Sequence, residues 1–301
     1  MNAIQEEILE LKARMGATIL AHNYVDAAVQ DIADFCGDSL ELSRKAKDNS
    51  AETIIFCGVR FMGETAKLLS PGARVLMPAK DAGCLMADMC DPEKIRAYKA
   101  GHPDHLLVAY VNTTAETKAL VDVCVTSGNA ERIVTKLGSE RPIMFLPDQN
   151  LGANLNNRLG MKMDLWPGCC PVHHRIAPDM IKAAREAHPR APLMVHLECQ
   201  PEIVALADAA LSTAGMLKFV EKSDAREFIV GTECGMIYRL SCAFPDRKFY
   251  GIEPKLVCKN MKKITLENVL DCLKGRGFEI EMDPELMAAA VRPIERMLEL
   301  S

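Results

Sequence analysis

The sequence lacks any apolar run close to the roughly 20 residues that a helix needs to cross a membrane. Its opening segment also lacks the continuous apolar core of a secretory signal peptide, since it reads MNAIQEEILELKARMG. We therefore expect a cytoplasmic protein without a membrane partner. Long basic runs are absent and the formal net charge is −5, which argues against nucleic acid as a partner.

Flexible linkers and closely spaced cysteine pairs are missing as well. No Gly/Ser-rich stretch divides the 301 residues, so any modules should pack tightly against one another. No CxxC pair occurs, which argues against a structural zinc site built from local ligands. Hydrophobic residues make up 49% and charged residues 26%, a composition that is typical of globular proteins and not of disordered ones.

Cysteine, in contrast, is abundant, with twelve residues. A secreted disulfide scaffold is usually much shorter, so we expect these cysteines to be reduced. A reduced cysteine is most often a small apolar packing residue, and otherwise a metal ligand or a nucleophile.

Three apolar segments with similar endings recur along the chain. They read ATILAHNY at 17–24, HLLVAYVN at 105–112 and PLMVHLEC at 192–199. Their alignment puts His22, Tyr110 and His196 at one position, with steps of 88 and 86 residues. Each segment resembles a buried strand, and a helix, a strand, a second helix and a third strand follow it.

The repeat predicts an α/β fold of three homologous three-layer αβα modules. Apolar strands that alternate with amphipathic helices form parallel sheets covered on both faces. The predicted modules span 1–86, 87–172 and 173–260, arranged about a pseudo-threefold axis. Residues 261–301 begin like a fourth repeat and end in a helix, and we expect this C-terminal extension to pack on module one.

One cysteine follows the third predicted strand of each module. These residues are Cys84, Cys170 and Cys258, separated by 86 and 88 residues. A pseudo-threefold axis would bring the three thiols together at one metal site. Cys169 is adjacent to Cys170, and spacing alone does not choose between them.

The other cysteines fit the repeat less well and are predicted to be packing thiols. Cys36 and Cys124 are 88 residues apart, but the third module has Ala209 at that position. Three distant thiols without an evident fourth ligand favour a 4Fe–4S cluster with one open iron over zinc, because structural zinc normally takes four ligands. An iron without a protein ligand can act as a Lewis acid.

Ten motifs, in order along the chain, resemble those of the quinolinate synthase family. From about residue 17 onwards they read AHNY, QDIADFCGDSL, GVRFMGETAKLL, YVNTTAE, TSGNA, PDQNLG, CCPVHH, VHLEC, GTECGMI and VCKNMKKITLENVL. The resemblance implies three αβα modules and the condensation of iminoaspartate with dihydroxyacetone phosphate to quinolinate, with loss of phosphate and two waters. It further implies a role in NAD biosynthesis and functional coupling to an L-aspartate oxidase or dehydrogenase.

The resemblance also implies a cofactor. Family members hold one 4Fe–4S cluster through three cysteines, one per module, and the matching residues are Cys84, Cys170 and Cys258. The CPVH motif selects Cys170 over Cys169. We therefore expect an oxygen-sensitive enzyme, because the open iron is the labile corner of such a cluster.

Hydroxyl residues stand at three predicted helix starts, where free backbone N–H groups favour anions. These residues are Ser39, Ser127 and Thr213. An isolated serine or threonine at such a place is usually an ordinary helix cap. Their recurrence in register and the resemblance assign all three to binding of the anionic substrates.

Polar side chains also follow the first strand of each module, at the edge where parallel sheets bind ligands. Glu198 is the candidate acid or base, on the expectation that a partly desolvated carboxyl is tuned towards neutral pH. His22 and His196 are candidate donors to carboxylate or phosphate oxygens, and Tyr24 and Tyr110 are expected to orient the substrate. Asn112 completes the predicted substrate-binding set. No role is predicted for His173, Glu64, Asn129, Asn154 or Glu233.

Three other functions are compatible with the residues alone. One is a different cluster-dependent hydro-lyase that acts on a small hydroxy acid. Another is an iron–sulfur sensor or electron carrier, although a carrier would favour four protein ligands. The last is a sugar-phosphate-binding protein whose thiols are purely structural.

Overall fold

Strands and helices alternate along the chain in the computed structural model, which describes residues 2–138 and 140–301. The strands are β1 Ala17–His22, β2 Phe35–Gly37, β3 Thr53–Cys57, β4 Arg74–Met77, β5 Leu106–Tyr110, β6 Val123–Val125, β7 Ile143–Leu146, β8 Asp164–Leu165, β9 Leu193–His196, β10 Ala209–Leu211, β11 Glu227–Gly231, β12 Lys248–Gly251 and β13 Phe278–Glu279. The α-helices are α1 Ala3–Met15, α2 Ala27–Gln30, α3 Ser39–Lys47, α4 Arg60–Leu69, α5 Leu85–Asp88, α6 Pro92–Gly101, α7 Ala115–Lys118, α8 Ala130–Leu137, α9 Gln149–Leu159, α10 Pro171–His174, α11 Pro178–Ala187, α12 Pro201–Leu206, α13 Thr213–Lys222, α14 Gly235–Ala243, α15 Leu266–Asp271 and α16 Pro284–Leu300. A 3₁₀ turn covers Met261–Lys263, and a π-helical turn covers Cys272–Arg276.

The strands form three sheets that share one order. The orders are β2-β1-β3-β4, β6-β5-β7-β8 and β10-β9-β11-β12, and the paired strands within each run are parallel. Central strands such as β3 are buried along their whole length, which requires helices on both faces of the sheet. The predicted α/β fold of three αβα modules is confirmed.

The register of the sheets agrees with the alignment of the repeat. His22, Tyr110 and His196 each end the first strand of a module and still pair with the neighbouring strand. Their partners across the ladder are Gly37, Val125 and Leu211. The three residues therefore mark the same carboxyl edge in the three sheets.

The C-terminal extension divides between the first two modules. Strand β13 adds antiparallel to β4 at the edge of the first sheet, and α15 packs on α1. Helix α16, however, packs chiefly on β6 and α7 of the second module. Helix α16 also contacts α4 of the first module, so the extension packs on parts of both modules. Strand β6 is fully buried, and the apolar face of α16 provides part of its cover.

A continuous apolar core runs through all three modules, with members as far apart in sequence as Phe56, Phe145 and Ile229. A smaller cluster around Phe228 and Leu240 fills the rest of the third module. The modules thus pack directly on one another, as the absence of linkers predicted. Among the described residues, no helix is both long and apolar enough to cross a bilayer.

Candidate functional site

A cavity of about 410 Å³ lies where loops of the three modules meet. The carboxyl ends of β1, β5 and β9 reach it, which is the usual place for ligands in parallel sheets. All twelve residues predicted from the sequence to form a site line this cavity, namely His22, Tyr24, Ser39, Cys84, Tyr110, Asn112, Ser127, Cys170, His196, Glu198, Thr213 and Cys258. The fold therefore brings residues that are up to 236 positions apart in the sequence, His22 and Cys258, into one cavity.

The three repeat cysteines stand at the start of short helical turns. Cys84 directly precedes α5, Cys170 directly precedes α10, and Cys258 lies just before the 3₁₀ turn. Burial raises the pKa of each thiol, that of Cys84 to about 12, while backbone N–H groups two or three residues further on act in the opposite direction. Buried sulfurs with backbone N–H groups directed at them suit metal-bound thiolates. Of the described residues, Cys169 is not among those that line the cavity.

A second group of potential metal ligands overlaps this set. One atom each of Cys170, His173 and Glu198 lies within 4.8 Å of the others. Their proximity has another explanation, since His173 Nδ1 lies 3.2 Å from Cys170 Sγ and 2.8 Å from Glu198 Oε2. Hydrogen bonding of His173 to both partners therefore accounts for the proximity of the group.

Glu198 is the centre of a buried hydrogen-bond network. The Tyr110 hydroxyl donates to Oε1 at 2.6 Å, and His173 Nδ1 lies 2.8 Å from Oε2. Burial opposes ionisation of Glu198, but the neighbouring histidines and the Tyr110 hydroxyl outweigh it and hold its pKa below the ordinary value. The expectation of a carboxyl tuned towards neutral pH is therefore wrong. Glu198 is therefore a carboxylate in the resting site, held by hydrogen bonds to both of its oxygens.

His22 and His196 share one arrangement. In each, ring Nδ1 accepts a hydrogen bond from the backbone N–H two residues further on, that of Tyr24 or Glu198, at 3.2 Å. Burial lowers the pKa of His22 to about 3 and that of His196 to about 4, so both rings are neutral near pH 7. A neutral ring that accepts at Nδ1 carries its proton on Nε2 and is a hydrogen-bond donor there. Ser127 Oγ lies 3.4 Å from His196 Nε2.

Neutral buried histidines predict a loss of stability in acid. In the unfolded chain each takes up a proton near pH 6.5, whereas the folded protein resists protonation down to about pH 3 for His22 and 4 for His196. Their contribution is therefore complete above pH 6.5 and falls as the pH decreases, by about 1.4 kcal/mol per pH unit for each histidine. Denaturant unfolding between pH 7 and pH 5 measures it. The variant His22→Gln should show a shallower dependence, and an unchanged slope would contradict a neutral His22.

Thr232 joins two cavity residues and was missed by reasoning from the sequence. Its hydroxyl lies 2.7 Å from the Tyr24 hydroxyl and 2.8 Å from His173 Nε2. Burial raises the pKa of Tyr24 well above its usual value, so this side chain is a neutral phenol. His173, which had no predicted role, thus links Glu198 to the Tyr24 side of the cavity. The position of Thr232 within GTECGMI was the available signal.

Ser39 and Thr213 are the first residues of α3 and α13, but other side chains cap these helices. The carboxylate of Asp38 caps α3, and the hydroxyl of Ser212 caps α13. Capping therefore does not explain Ser39 or Thr213. The Thr213 hydroxyl instead accepts a hydrogen bond from Asn23 Nδ2 at 2.9 Å. Both hydroxyls line the cavity beside helix N-termini.

Three motif residues without a predicted role make structural contacts. Glu64 accepts the first backbone N–H of α7 at 2.9 Å and so ties module one to module two. Asn129 accepts a backbone N–H of its own turn at 2.6 Å. Glu233 forms an ion pair with Lys262 at 3.2 Å and accepts the backbone N–H of Cys258 at 3.1 Å. Glu233 therefore supports the loop that carries the third cysteine.

The fold and the cavity define a class of protein in which three αβα modules share one buried polar site with three thiols. Within that class, the chain belongs to the quinolinate synthetase A protein family, whose model matches residues 6–299. The chain is 46% identical to a quinolinate synthase of Thermus thermophilus over 300 residues, which covers 98% of this chain and 97% of the relative. It is 47% identical to quinolinate synthases of Desulforudis audaxviator, covering 98% and 97%, and of Methanoregula boonei, covering 99% and 98%. The family resemblance and the assignment as an enzyme are confirmed.

Proposed function

We propose that the chain condenses iminoaspartate with dihydroxyacetone phosphate to give quinolinate, phosphate and two waters. The observation that supports this most directly is the shared cavity, in which three thiols, two neutral histidines, hydroxyls and a carboxylate are combined. One C–C and one C–N bond close the pyridine ring, while phosphate and two hydroxyl groups leave. The atoms balance without an external oxidant or reductant.

We infer that Cys84, Cys170 and Cys258 hold one 4Fe–4S cluster. Their support is their burial, their place at helix starts and their origin in three modules. When bound, such a cluster supplies an iron without a protein ligand, which acts as a Lewis acid towards a substrate oxygen. The protein residues described next bind the substrates and move protons.

The substrates bring two carboxylates and a phosphate into the cavity. We assign Ser39, Ser127 and Thr213 to these anions. Ser39 and Thr213 begin α3 and α13, where the helix dipole favours an anion, whereas Ser127 lies in the turn before α8 and lines the same cavity. His22 and His196 donate from Nε2 without carrying a charge. The neutral phenols of Tyr24 and Tyr110 and the amide of Asn112 orient the substrates. Arg175 and Lys259 also line the cavity and add positive charge.

Glu198 is the proposed base. As a carboxylate it accepts a proton from a substrate carbon during tautomerisation or dehydration, and the Tyr110 hydroxyl and His173 fix the positions of its two oxygens. A positioned base of this kind contributes about 10²–10⁴-fold to a rate. Because Glu198 is ionised in the resting site, we assign it the role of a base, whereas the sequence had left open whether it acts as an acid or as a base.

The wider setting follows from the substrate. An imine hydrolyses in water, so iminoaspartate has to be made and used in the same compartment, and we propose coupling to an L-aspartate oxidase or dehydrogenase in the cytoplasm. We propose module boundaries at 1–86, 87–172 and 173–260, with 261–301 as an extension over the first two modules. Neither nucleic acid nor membrane is part of the proposal.

An anaerobic assay tests the proposed function. Protein with intact iron and sulfide should form quinolinate and release phosphate in equal amounts from iminoaspartate and dihydroxyacetone phosphate. A different hydro-lyase or a sensor would bind iron but release no phosphate from this pair, and a sugar-phosphate-binding protein would hold no iron.

Exposure to air is the matched control for this assay. It should remove most of the activity, and iron with a reductant should restore part of it. Full activity from colourless, iron-free protein would exclude the cluster from the reaction.

A further inference from the structure

Tyr24, Asn112 and Glu198 occupy equivalent positions, two residues beyond the aligned ends of β1, β5 and β9. All three line the cavity. In each module, the peptide carbonyls immediately before and after this residue accept hydrogen bonds from one and the same side-chain nitrogen. We call that nitrogen and its two carbonyls a carbonyl clamp. A clamp fixes the two peptide groups that flank the cavity residue and so restricts its backbone.

In modules one and two, the clamp comes from the end of the short helix that follows. Gln30 Nε2 in α2 lies 3.1 and 3.0 Å from the carbonyl oxygens that flank Tyr24. Lys118 Nζ in α7 bonds to both carbonyls that flank Asn112, at 2.8 Å to the preceding one. Gln30 and Lys118 are 88 residues apart, so they occupy the same position of the repeat.

Module three has the clamp but takes its donor from another module. The position equivalent to Gln30 and Lys118 is Val204, which offers no hydrogen-bonding side chain. Asn154 in α9 of module two replaces it, with Nδ2 at 2.9 and 2.8 Å from the carbonyl oxygens that flank Glu198. The same arrangement is therefore built three times by three different residue types. The donor comes from the same module in two cases and from a neighbouring module in the third. This repetition indicates that the clamp itself is required.

The clamp of module two buries the amino group of a lysine. Lys118 has no exposed surface, and its Nζ lies 5.4 Å from the centroid of the Phe61 ring. Removing an amino group from water is unfavourable, and an apolar side chain of similar length would serve simple packing better. The clamped residue, Asn112, has a buried Oδ1 without a hydrogen-bond partner among the described residues, so this oxygen is open to a ligand.

We propose that Gln30, Lys118 and Asn154 are positioning residues, whose clamps hold the cavity side chains in the orientation that the reaction requires. Of the described residues that line the cavity, none is a clamp donor, so the three donors act through the residues they clamp. The inference rests on the proposed function for its kinetic consequences. Its structural content, the order of the clamped loops, can be measured independently.

The comparison of Lys118→Met with Lys118→Gln in the cluster-loaded enzyme tests the proposal. Both substitutions remove the amino group, but only glutamine keeps a hydrogen-bond donor, and Gln30 already provides such a donor at the equivalent position. Lys118→Met should lower kcat/KM by about 10²-fold, mainly through KM, because Asn112 is assigned to substrate binding. Lys118→Gln should retain most of the activity. Equal losses in both variants, or none in either, would overturn the proposal.

Asn154→Leu tests the clamp between modules, with Asn156→Leu as a matched control on the same helix. Because Asn154 acts on the proposed base, its variant should lose kcat with little change in KM. Asn156 bonds to the backbone of Met163 at 2.9 and 3.1 Å and does not line the cavity, so Asn156→Leu should keep kcat per cluster even if it melts earlier. Losses of kcat that follow the melting temperature in both variants would indicate a merely structural role and overturn the proposal.

Hydrogen exchange of the segment 105–120 separates the clamp from the proposed function. Exchange should be faster in Lys118→Met and close to wild type in Lys118→Gln, because a released loop opens more often. This result would support the clamp even if the wild-type protein formed no quinolinate, in which case only the proposed function fails. Wild-type exchange and wild-type kinetics in Lys118→Met would together refute the clamp.

Discussion

Each of the substitutions Cys84→Ser, Cys170→Ser and Cys258→Ser is expected to abolish iron binding and to lower quinolinate formation by more than about 10²-fold, since even loss of an outer-shell partner costs up to that. A hard hydroxyl replaces a soft thiolate, which iron–sulfur clusters require. The fold should survive, because Cys84 and Cys170 occupy helix-cap positions at which serine is favoured. Iron and sulfide analysis beside a melting curve measures both effects.

Three other cysteines serve as controls for this prediction. Cys169→Ser is the most closely matched control. Cys169 is adjacent to Cys170, but it is not among the described residues that line the cavity. Cys36→Ser and Cys124→Ser should likewise keep the cluster. Loss of iron in Cys169→Ser with retention in Cys170→Ser would show that the other sulfur of the pair is the ligand.

Glu198→Gln is expected to lower kcat by about 10²–10⁴-fold with the cluster spectrum unchanged. Glutamine keeps the size of the side chain and an acceptor for the Tyr110 hydroxyl, which lies 2.6 Å from Oε1. It removes the negative charge and the group that takes up the proton. Substrate binding should be largely retained, because the hydroxyls, the histidines and the thiols are unaffected. Turnover per intact cluster is the quantity to measure.

A purely structural role for Glu198 makes a different prediction. The carboxylate is buried against His173, and its lowered pKa means that it stabilises the fold near pH 7 and loses this effect as the pH falls below its ordinary value of 4.5. If that were its only role, Glu198→Gln would melt earlier, and each intact cluster would turn over at nearly the normal rate. Near-normal turnover per cluster would therefore remove Glu198 from the catalytic residues.

The repeat made the location of the cavity residues predictable. Strand ends follow from apolar segments with a period near 87 residues, and parallel sheets place those ends at one edge. For this reason His22, Tyr110 and His196 align in the sequence alone, and one cysteine per module is distinguished among the twelve. Local helix starts were less certain. Ser39 and Thr213 resembled caps in the sequence, whereas Asp38 and Ser212 fill that position in the fold.

The sequence by itself determined the three-module α/β fold, the family and the set of residues that meet at the cavity, because periodicity and motifs are properties of the chain. Only the tertiary structure decided the protonation of Glu198, the path of α16 and the source of the third clamp. Each depends on neighbours from elsewhere in the chain: His173 and Tyr110 beside a carboxylate, a buried strand that needs cover, and Asn154 reaching across a module boundary. Hydrogen bonds and burial depend on neighbours within a few ångströms, and the separation of two residues in the sequence does not tell how close they lie in the fold.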